Sequence, residues 1–151
     1  MFHIIDDEAV LRALIKALVG KTGHDALCFE SGDQYLEHLE SAGFEQPIAI
    51  LTDVTMPGIN GYDLTVEIRK VLPFQKIVLI TGYADEKHNR FAASQLCYSV
   101  SKPFRADQII ALLTALTSCE AAHQEHGDSP GYFPQCKFGI DHDCPFHASN
   151  K

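Results

Sequence analysis

Apolar and polar residues alternate in blocks along the first 118 residues of the chain. Phe2-His3-Ile4-Ile5 predicts a short strand. Leu11, Leu14, Ile15 and Leu18 recur at helical spacing, and Gly20 is a stop signal for that helix. Ala26 to Phe29 predicts a second strand, and Ser31 can cap a helix through about Glu40 with Tyr35, Leu36 and Leu39 on one face. Ile48-Ala49-Ile50-Leu51-Thr52 is a continuous apolar run, the kind of strand that a parallel sheet buries on both faces. A helix is expected from about Gly61 to Val71, a buried strand over Lys76-Ile77-Val78-Leu79-Ile80, and a weaker helix from about Asp85 to Gln95. Tyr98-Ser99-Val100 predicts a fifth strand, and the last helix begins after Pro103 and is expected to bury Ile109, Leu112, Leu113 and Leu116.

Strand then helix, five times over, is the signature of an α/β fold with an open five-stranded parallel sheet. Right-handed crossovers leave few ways to wind it. The pattern changes near residue 119. From Cys119 to Lys151 the only aliphatic β-branched or Leu-type residue is Ile140, while cysteines, histidines and turn formers accumulate. Residues 1–118 are therefore expected to form one domain. Residues 119–151 are expected to be a short irregular C-terminal extension, too poor in apolar groups to be an independent effector domain.

Composition narrows the class. With 46% hydrophobic and 21% charged residues over 151 positions, the chain can bury a core and matches one folded domain. A formal net charge of −8 speaks against nucleic-acid binding, which needs clustered Lys and Arg. No apolar stretch approaches the roughly 18 residues of a membrane span. The opening runs at once into Asp6, Asp7 and Glu8 without a basic n-region, so a cytoplasmic location with reduced thiols is expected.

In open α/β sheets, ligands bind beyond the carboxyl ends of the strands. Here those ends are chemically coherent. Strand one ends in Asp6 and Asp7, strand three in Asp53, strand four in Thr81-Gly82 and strand five in Lys102-Pro103. Packed carboxylates repel, and each has its pKa raised unless a cation joins them. An oxygen-only cluster with few dedicated ligands suits Mg²⁺, which keeps several waters and often shares a phosphate. Strand-end aspartates can also simply cap helices, but that reading does not explain all five positions together.

Four motifs carry a resemblance: Ile4-Ile5-Asp6-Asp7-Glu8, Leu51-Thr52-Asp53-Val54-Thr55-Met56-Pro57-Gly58 with Gly61, Ile80-Thr81-Gly82, and Ser101-Lys102-Pro103-Phe104. Together they make residues 2 to about 118 similar to the receiver domain of two-component response regulators. The resemblance implies a flavodoxin-like sheet in the order 2-1-3-4-5. It implies that Asp53 accepts a phosphoryl group from a histidine kinase or phosphotransfer protein. Mg²⁺ would be bound by Asp7, Asp53 and the backbone carbonyl of Thr55, with Asp6 acting mostly through water. Lys102 would pair with a phosphoryl oxygen, Thr81 would swing in to hydrogen-bond it, and the Lys102–Pro103 bond would be cis. The chemistry is self-consistent, because phosphoryl transfer asks a protein mainly for positioning and for cations around the equatorial oxygens. Gly58 and Gly61 suit the tight loop after the nucleophile.

Receivers often place an aromatic residue three positions before the lysine. Here that position is Ser99, with Tyr98 one place earlier, and a one-residue offset in a strand reverses the facing side. The usual threonine–aromatic coupling is therefore not expected, and Tyr98 reads as packing. Tyr83 could gate the site or simply cover its loop. His3, His24, His38 and His88 read as surface or strand-edge residues, and Cys28 and Cys97 as small buried apolar groups.

In the tail, a last helix continuing past Ser118 would put Cys119, His123 and His126 on one face. Cys136, His142, Cys144 and His147 follow the turn at Pro130-Gly131. These residues could hold zinc, although the spacing matches no standard finger. Alternatively, Cys136 and Cys144 could form a disulfide, or the tail could pack on the domain through its aromatic residues.

The expected function is thus a phosphorelay response regulator that is not an enzyme beyond its own phosphorylation and dephosphorylation. It would signal to an unknown protein target through the fourth helix, fifth strand and fifth helix, with Ile110 and Leu116 as contact residues. Pairing of two copies through the last helices is a further expectation from the resemblance. The alternative is a phosphorylation-independent metal- or redox-sensing module on the same scaffold. A small phosphatase has nothing beyond the self-dephosphorylating set to support it.

Overall fold

The computed structural model describes residues 1–126, without the side chains of Ala122, His123, Glu125 and His126. Cys136, His142, Cys144 and His147, and with them the zinc and disulfide readings of the tail, lie outside the described residues. The elements follow one another as β1 (Phe2–Ile5), α1 (Ala9–Lys21), β2 (Ala26–Phe29), α2 (Gly32–Leu39), β3 (Ile50–Asp53), α3 (Gly61–Val71), β4 (Ile77–Thr81), α4 (Glu86–Gln95), β5 (Tyr98–Ser101) and α5 (Ala106–His126). All strand pairs are parallel, and the sheet runs β2-β1-β3-β4-β5, the order the resemblance implies.

β1, β3 and β4 bury every residue on both faces because their apolar residues run almost without interruption, whereas the edge strands β2 and β5 are covered only in part. Phe2, Ile4, Leu51, Val78, Ile80 and Val100 pack with α1 and α5 residues such as Ile15, Val19, Ile109 and Leu113. Ile5, Ile50, Ile77 and Leu79 face the other way, against Tyr35, Leu64, Ile68 and Leu96. Helix starts follow from short polar side chains. Ser31, Asn60 and Asp85 each accept a hydrogen bond from the backbone N–H three residues on. β3 and β4 end one residue later than the apolar runs suggest. The ladder continues through Asp53 and Thr81, whose neighbours are held by Val54 N–H to Ile80 O (3.1 Å) and Lys102 N–H to Thr81 O (2.7 Å).

α5 passes residue 118 without a break and is described through His126. The change in composition at 119 therefore does not coincide with the end of an element. Among the described residues, no helix is long and apolar enough to cross a membrane.

Three expectations are corrected here. Leu116 is buried at 6% exposure in the α1–α5 core, as the apolar spacing of the last helix predicts, so it is not the contact residue it was also expected to be; Ile110 is partly buried against the same cluster. His3 is fully buried, its Nδ1 lying 3.1 Å from the Tyr35 hydroxyl within a group of aromatic rings. His88 is buried as well, between α3 and β5. Hydroxyls from distant elements satisfy both ring nitrogens of His88, whereas Tyr35 satisfies only Nδ1 of His3, whose Nε2 is buried without a hydrogen-bond partner among the described residues. Cys28 and Cys97 are half-buried and pack against the core rather than lying inside it.

Candidate functional site

The sheet order changes direction between β1 and β3, so their carboxyl ends border an open crevice. Asp6 and Asp7 leave β1 there, and Asp53 closes β3. Oxygens of the three carboxylates lie within 4.8 Å of one another. Asp6 and Asp53 are buried, at 1% and 5% exposure, whereas Asp7 is exposed.

Lys102, next after β5, brings its Nζ to 3.0 Å from Asp53, 3.7 Å from Glu8 and 3.9 Å from Asp6. Its peptide bond to Pro103 is cis. Burial alone would lower the lysine pKa, but the bond to Asp53 and the charges of Asp53, Asp6 and Glu8 outweigh it and hold the ammonium above its usual range. Burial raises both buried acids. Asp6 is pushed up to about 6, against the pull of the Glu8 N–H that donates to its Oδ1 at 2.8 Å. Asp53 is raised too, although Lys102 opposes the effect of burial.

The loop after Asp53 depends on two glycines. Gly58 has φ +77°, and a Cβ there would lie 2.2 Å from Asp33 Oδ2. A Cβ on Gly61 would lie 2.4 Å from the Asp53 carbonyl oxygen, so a side chain would push α3 away from the end of β3. Thr55 sits exposed in this loop, two residues past Asp53.

Thr81 ends β4, buried, and its hydroxyl is turned into its own loop. Oγ1 donates to the Tyr83 carbonyl at 2.8 Å and accepts from the Tyr83 N–H at 3.1 Å. The Tyr83 ring is 78% exposed. Tyr98 packs on the α1–α5 side of the sheet, as its offset predicts. Ser99 faces the other side, toward α4.

One cation facing three or four carboxylates leaves the crevice strongly negative. Asp6 Oδ2 is buried and lacks a hydrogen-bond partner among the described residues. That orphaned oxygen and the all-oxygen donor set fit a hard divalent cation such as Mg²⁺. The set converges as the sequence suggests: Asp6, Asp7, Asp53 and Lys102 meet directly, and Thr81 stands at the adjoining strand end. Sequence reasoning missed the approach of Glu8 to Lys102 and the buried contacts of His88. The latter had a signal in the hydroxyl of Ser99 where an aromatic ring is usual.

Comparison with known proteins agrees with this geometry. The family model described as "Response regulator receiver domain" matches residues 2–114. The transcriptional regulatory protein AruR of Pseudomonas aeruginosa is 40% identical over 85 residues, covering 55% of this chain and 34% of that protein. The DNA-binding transcriptional regulator NtrC of Klebsiella pneumoniae is 27% identical over 128 residues, 84% of this chain and 27% of NtrC. The chain thus spans about a third or less of these curated relatives. Among solved structures, the response regulator TrrA of Thermotoga maritima, crystallised with Mg²⁺ and beryllofluoride, is 27% identical with a TM-score of 0.67, covering 76% of this chain and 96% of that one. A CheY-like receiver domain from Methanospirillum hungatei shares the fold at a TM-score of 0.71 and 20% identity, over 83% and 97% of the two chains. The match over most of the chain and the converging strand ends lead to one conclusion: this chain belongs to the response regulator receiver domain family.

Proposed function

We propose that Asp53 is the phosphoacceptor of a phosphorelay and that the chain signals through protein contacts. The observation that carries this reading is the Lys102 ammonium 3.0 Å from Asp53, at the mouth of a crevice where three carboxylates converge. An Asp53 oxygen attacks the phosphorus of a phosphohistidine. The bond from phosphorus to the imidazole nitrogen breaks, and its electron pair stays on nitrogen. Lys102 then leaves its carboxylate partner to neutralise a phosphoryl oxygen.

Asp7 and Asp53 would hold Mg²⁺ with the backbone carbonyl of Thr55, and Asp6 would act through water. The ion, when bound, supplies positive charge against the incoming group. The Thr81 hydroxyl exchanges its partner in the Tyr83 backbone for a phosphoryl oxygen, which transmits the new charge to the loop leading into α4.

The donor is a histidine kinase or phosphotransfer protein. α1 starts beside the acidic cluster and exposes an apolar stripe of Val10, Ala13, Leu14 and Ala17, with Val10 at 84% and Leu14 at 45% exposure. Such a stripe fits a helical partner that brings its histidine to the crevice. The output is a protein contact on α4, β5 and α5. Residues 1–118 act as the receiver unit, with 119–151 as an appendage rather than an effector domain.

Beryllofluoride, a mimic of the phosphoryl group, tests the reading. It is expected to bind the wild type only with Mg²⁺ and not to bind Asp53→Asn. Failure to bind the wild type under any Mg²⁺ concentration would favour a phosphorylation-independent sensing module.

A further inference from the structure

α4 (EKHNRFAASQ) is polar and buries a single residue, His88. The ring of His88 is held on both sides: Nδ1 lies 2.7 Å from the Tyr62 hydroxyl on α3, and Nε2 lies 2.5 Å from the Ser99 hydroxyl on β5. Its backbone N–H donates to the Asp85 cap at 2.8 Å. Three hydrogen bonds thus converge on the residue that joins the first turn of α4 to the sheet. At the other end, the Arg69 guanidinium of α3 donates to the Gln95 carbonyl at 2.6 Å. Along the seam between α4 and β5 runs a groove of about 200 Å³ lined by Asn89, Ala92, Ala93, Tyr98 and Ser99. The helix therefore has two polar anchors and open space beside it.

The anchor at His88 is the one that phosphorylation would load. Only three residues separate Asp85 from Thr81, whose hydroxyl now points into its own loop. Drawing Thr81 toward Asp53 pulls on the loop that enters α4, and His88 is the nearest point at which that helix is fixed. Ser99 stands where an aromatic ring would otherwise respond to Thr81. On this chain the element facing that position is an imidazole of α4.

We propose that the Tyr62–His88–Ser99 chain is a latch: it holds the first turn of α4 against α3 and β5 in the unphosphorylated state, and it opens at Ser99 when Thr81 turns to the phosphoryl group. The proposal rests on the phosphoacceptor reading above. A ring bridging two hydroxyls fits such a role, because a neutral imidazole donates from one nitrogen and accepts at the other, and each hydroxyl can take the complementary part, so both nitrogens are satisfied while the bridge is closed. Burial lowers the pKa of His88 and keeps the ring neutral, with Asp85 pulling the other way; Tyr62 and Ser99 face it from α3 and β5. Losing one bond then frees the ring to turn and α4 to pivot about its Arg69 anchor.

The test uses the full chain with ¹⁵N-labelled histidine, Mg²⁺ and beryllofluoride. The ring signals of His88, assigned with His88→Asn, are expected to shift on beryllofluoride binding, while those of buried His3 stay fixed. Amide hydrogen exchange over 86–95 is expected to rise at the same time. Ser99→Ala is expected to raise α4 exchange without ligand and to tighten beryllofluoride binding about fivefold, the equivalent of one ordinary hydrogen bond. Ser99→Thr, which keeps the hydroxyl, is expected to stay near wild type. If beryllofluoride binds while His88 stays still and Ser99→Ala binds within twofold of wild type, the latch is wrong and the phosphoacceptor reading stands. If the wild type does not bind beryllofluoride at all, both fall.

Discussion

β1 places two ionisable side chains out of solvent, His3 within the strand and Asp6 just past its carboxyl end, and burial drives each toward its neutral form. For His3, burial, helped by His38 and the amino terminus, lowers the pKa to about 4. For Asp6, burial raises it to about 6, with the Glu8 N–H opposing and Asp53 adding. At pH 7 the outcomes diverge. His3 is neutral, its Nδ1 bonded to Tyr35 and its Nε2 without a partner among the described residues, and it is ringed by Phe29 and Phe44, so it behaves as an uncharged core residue. Asp6 remains ionised, with one buried oxygen lacking a hydrogen bond and the nearest cation 3.9 Å away. One unpaired nitrogen on a neutral ring is compatible with a purely structural role, because a neutral group costs far less to bury than a charge. A site arises where several strand ends send unsatisfied charge of one sign into the same opening.

The contrast can be attacked from both sides. The largest effect belongs to the carboxyl end. Lys102→Met is expected to slow phosphodonor labelling by roughly 10²–10³-fold, because it removes the fixed cation facing the transferred group; a rate within threefold of wild type would show that Lys102 is only a structural partner of Asp53.

The next effect belongs to His3. Its folded pKa lies below the unfolded value, so its stabilisation is complete above about pH 6.5 and is lost as pH falls toward 4. Between pH 7 and 5 this amounts to about 2 kcal/mol. His88 is lowered as well and acts in the same direction. Urea denaturation at the two pH values is expected to show the loss in wild type and a flatter profile in His3→Leu; an unchanged profile would mean that the ring titrates freely in the folded chain.

Asp6 gives the smallest effect and the opposite sign. Its folded pKa lies above the unfolded value, so the folded state is favoured at low pH and penalised as pH rises through about 6. In metal-free buffer at pH 7, Asp6→Asn is expected to gain about 1 kcal/mol, the nominal shift being discounted for the nearby Lys102. The same variant is expected to weaken Mg²⁺ binding. A loss of stability would mean that the ionised carboxylate is well satisfied in the folded chain.

These contrasts also mark how far the sequence could be read. The strands were legible because their apolar residues are consecutive, and α3 spans Gly61–Val71 as its periodicity predicts. The site was legible because its residues stand at strand ends, which a parallel sheet necessarily gathers on one side. Polar burial was not legible. The partner of His3 is 32 residues away, and those of His88 are 26 and 11 residues away, so a linear scan sees only isolated polar residues. Leu116 was legible as part of the buried stripe that helical periodicity defines, and naming it a contact residue as well conflicted with that stripe.

The central claim, that the convergent acids leave Asp53 ready to take up phosphorus, is tested most directly by acetyl phosphate labelling with site mapping, with and without Mg²⁺, on wild type and Asp53→Asn. Label on Asp53 of the wild type, dependent on Mg²⁺ and absent from the variant, is the expected result. Label that persists in Asp53→Asn, or that forms equally well in the presence of a chelator, would contradict it.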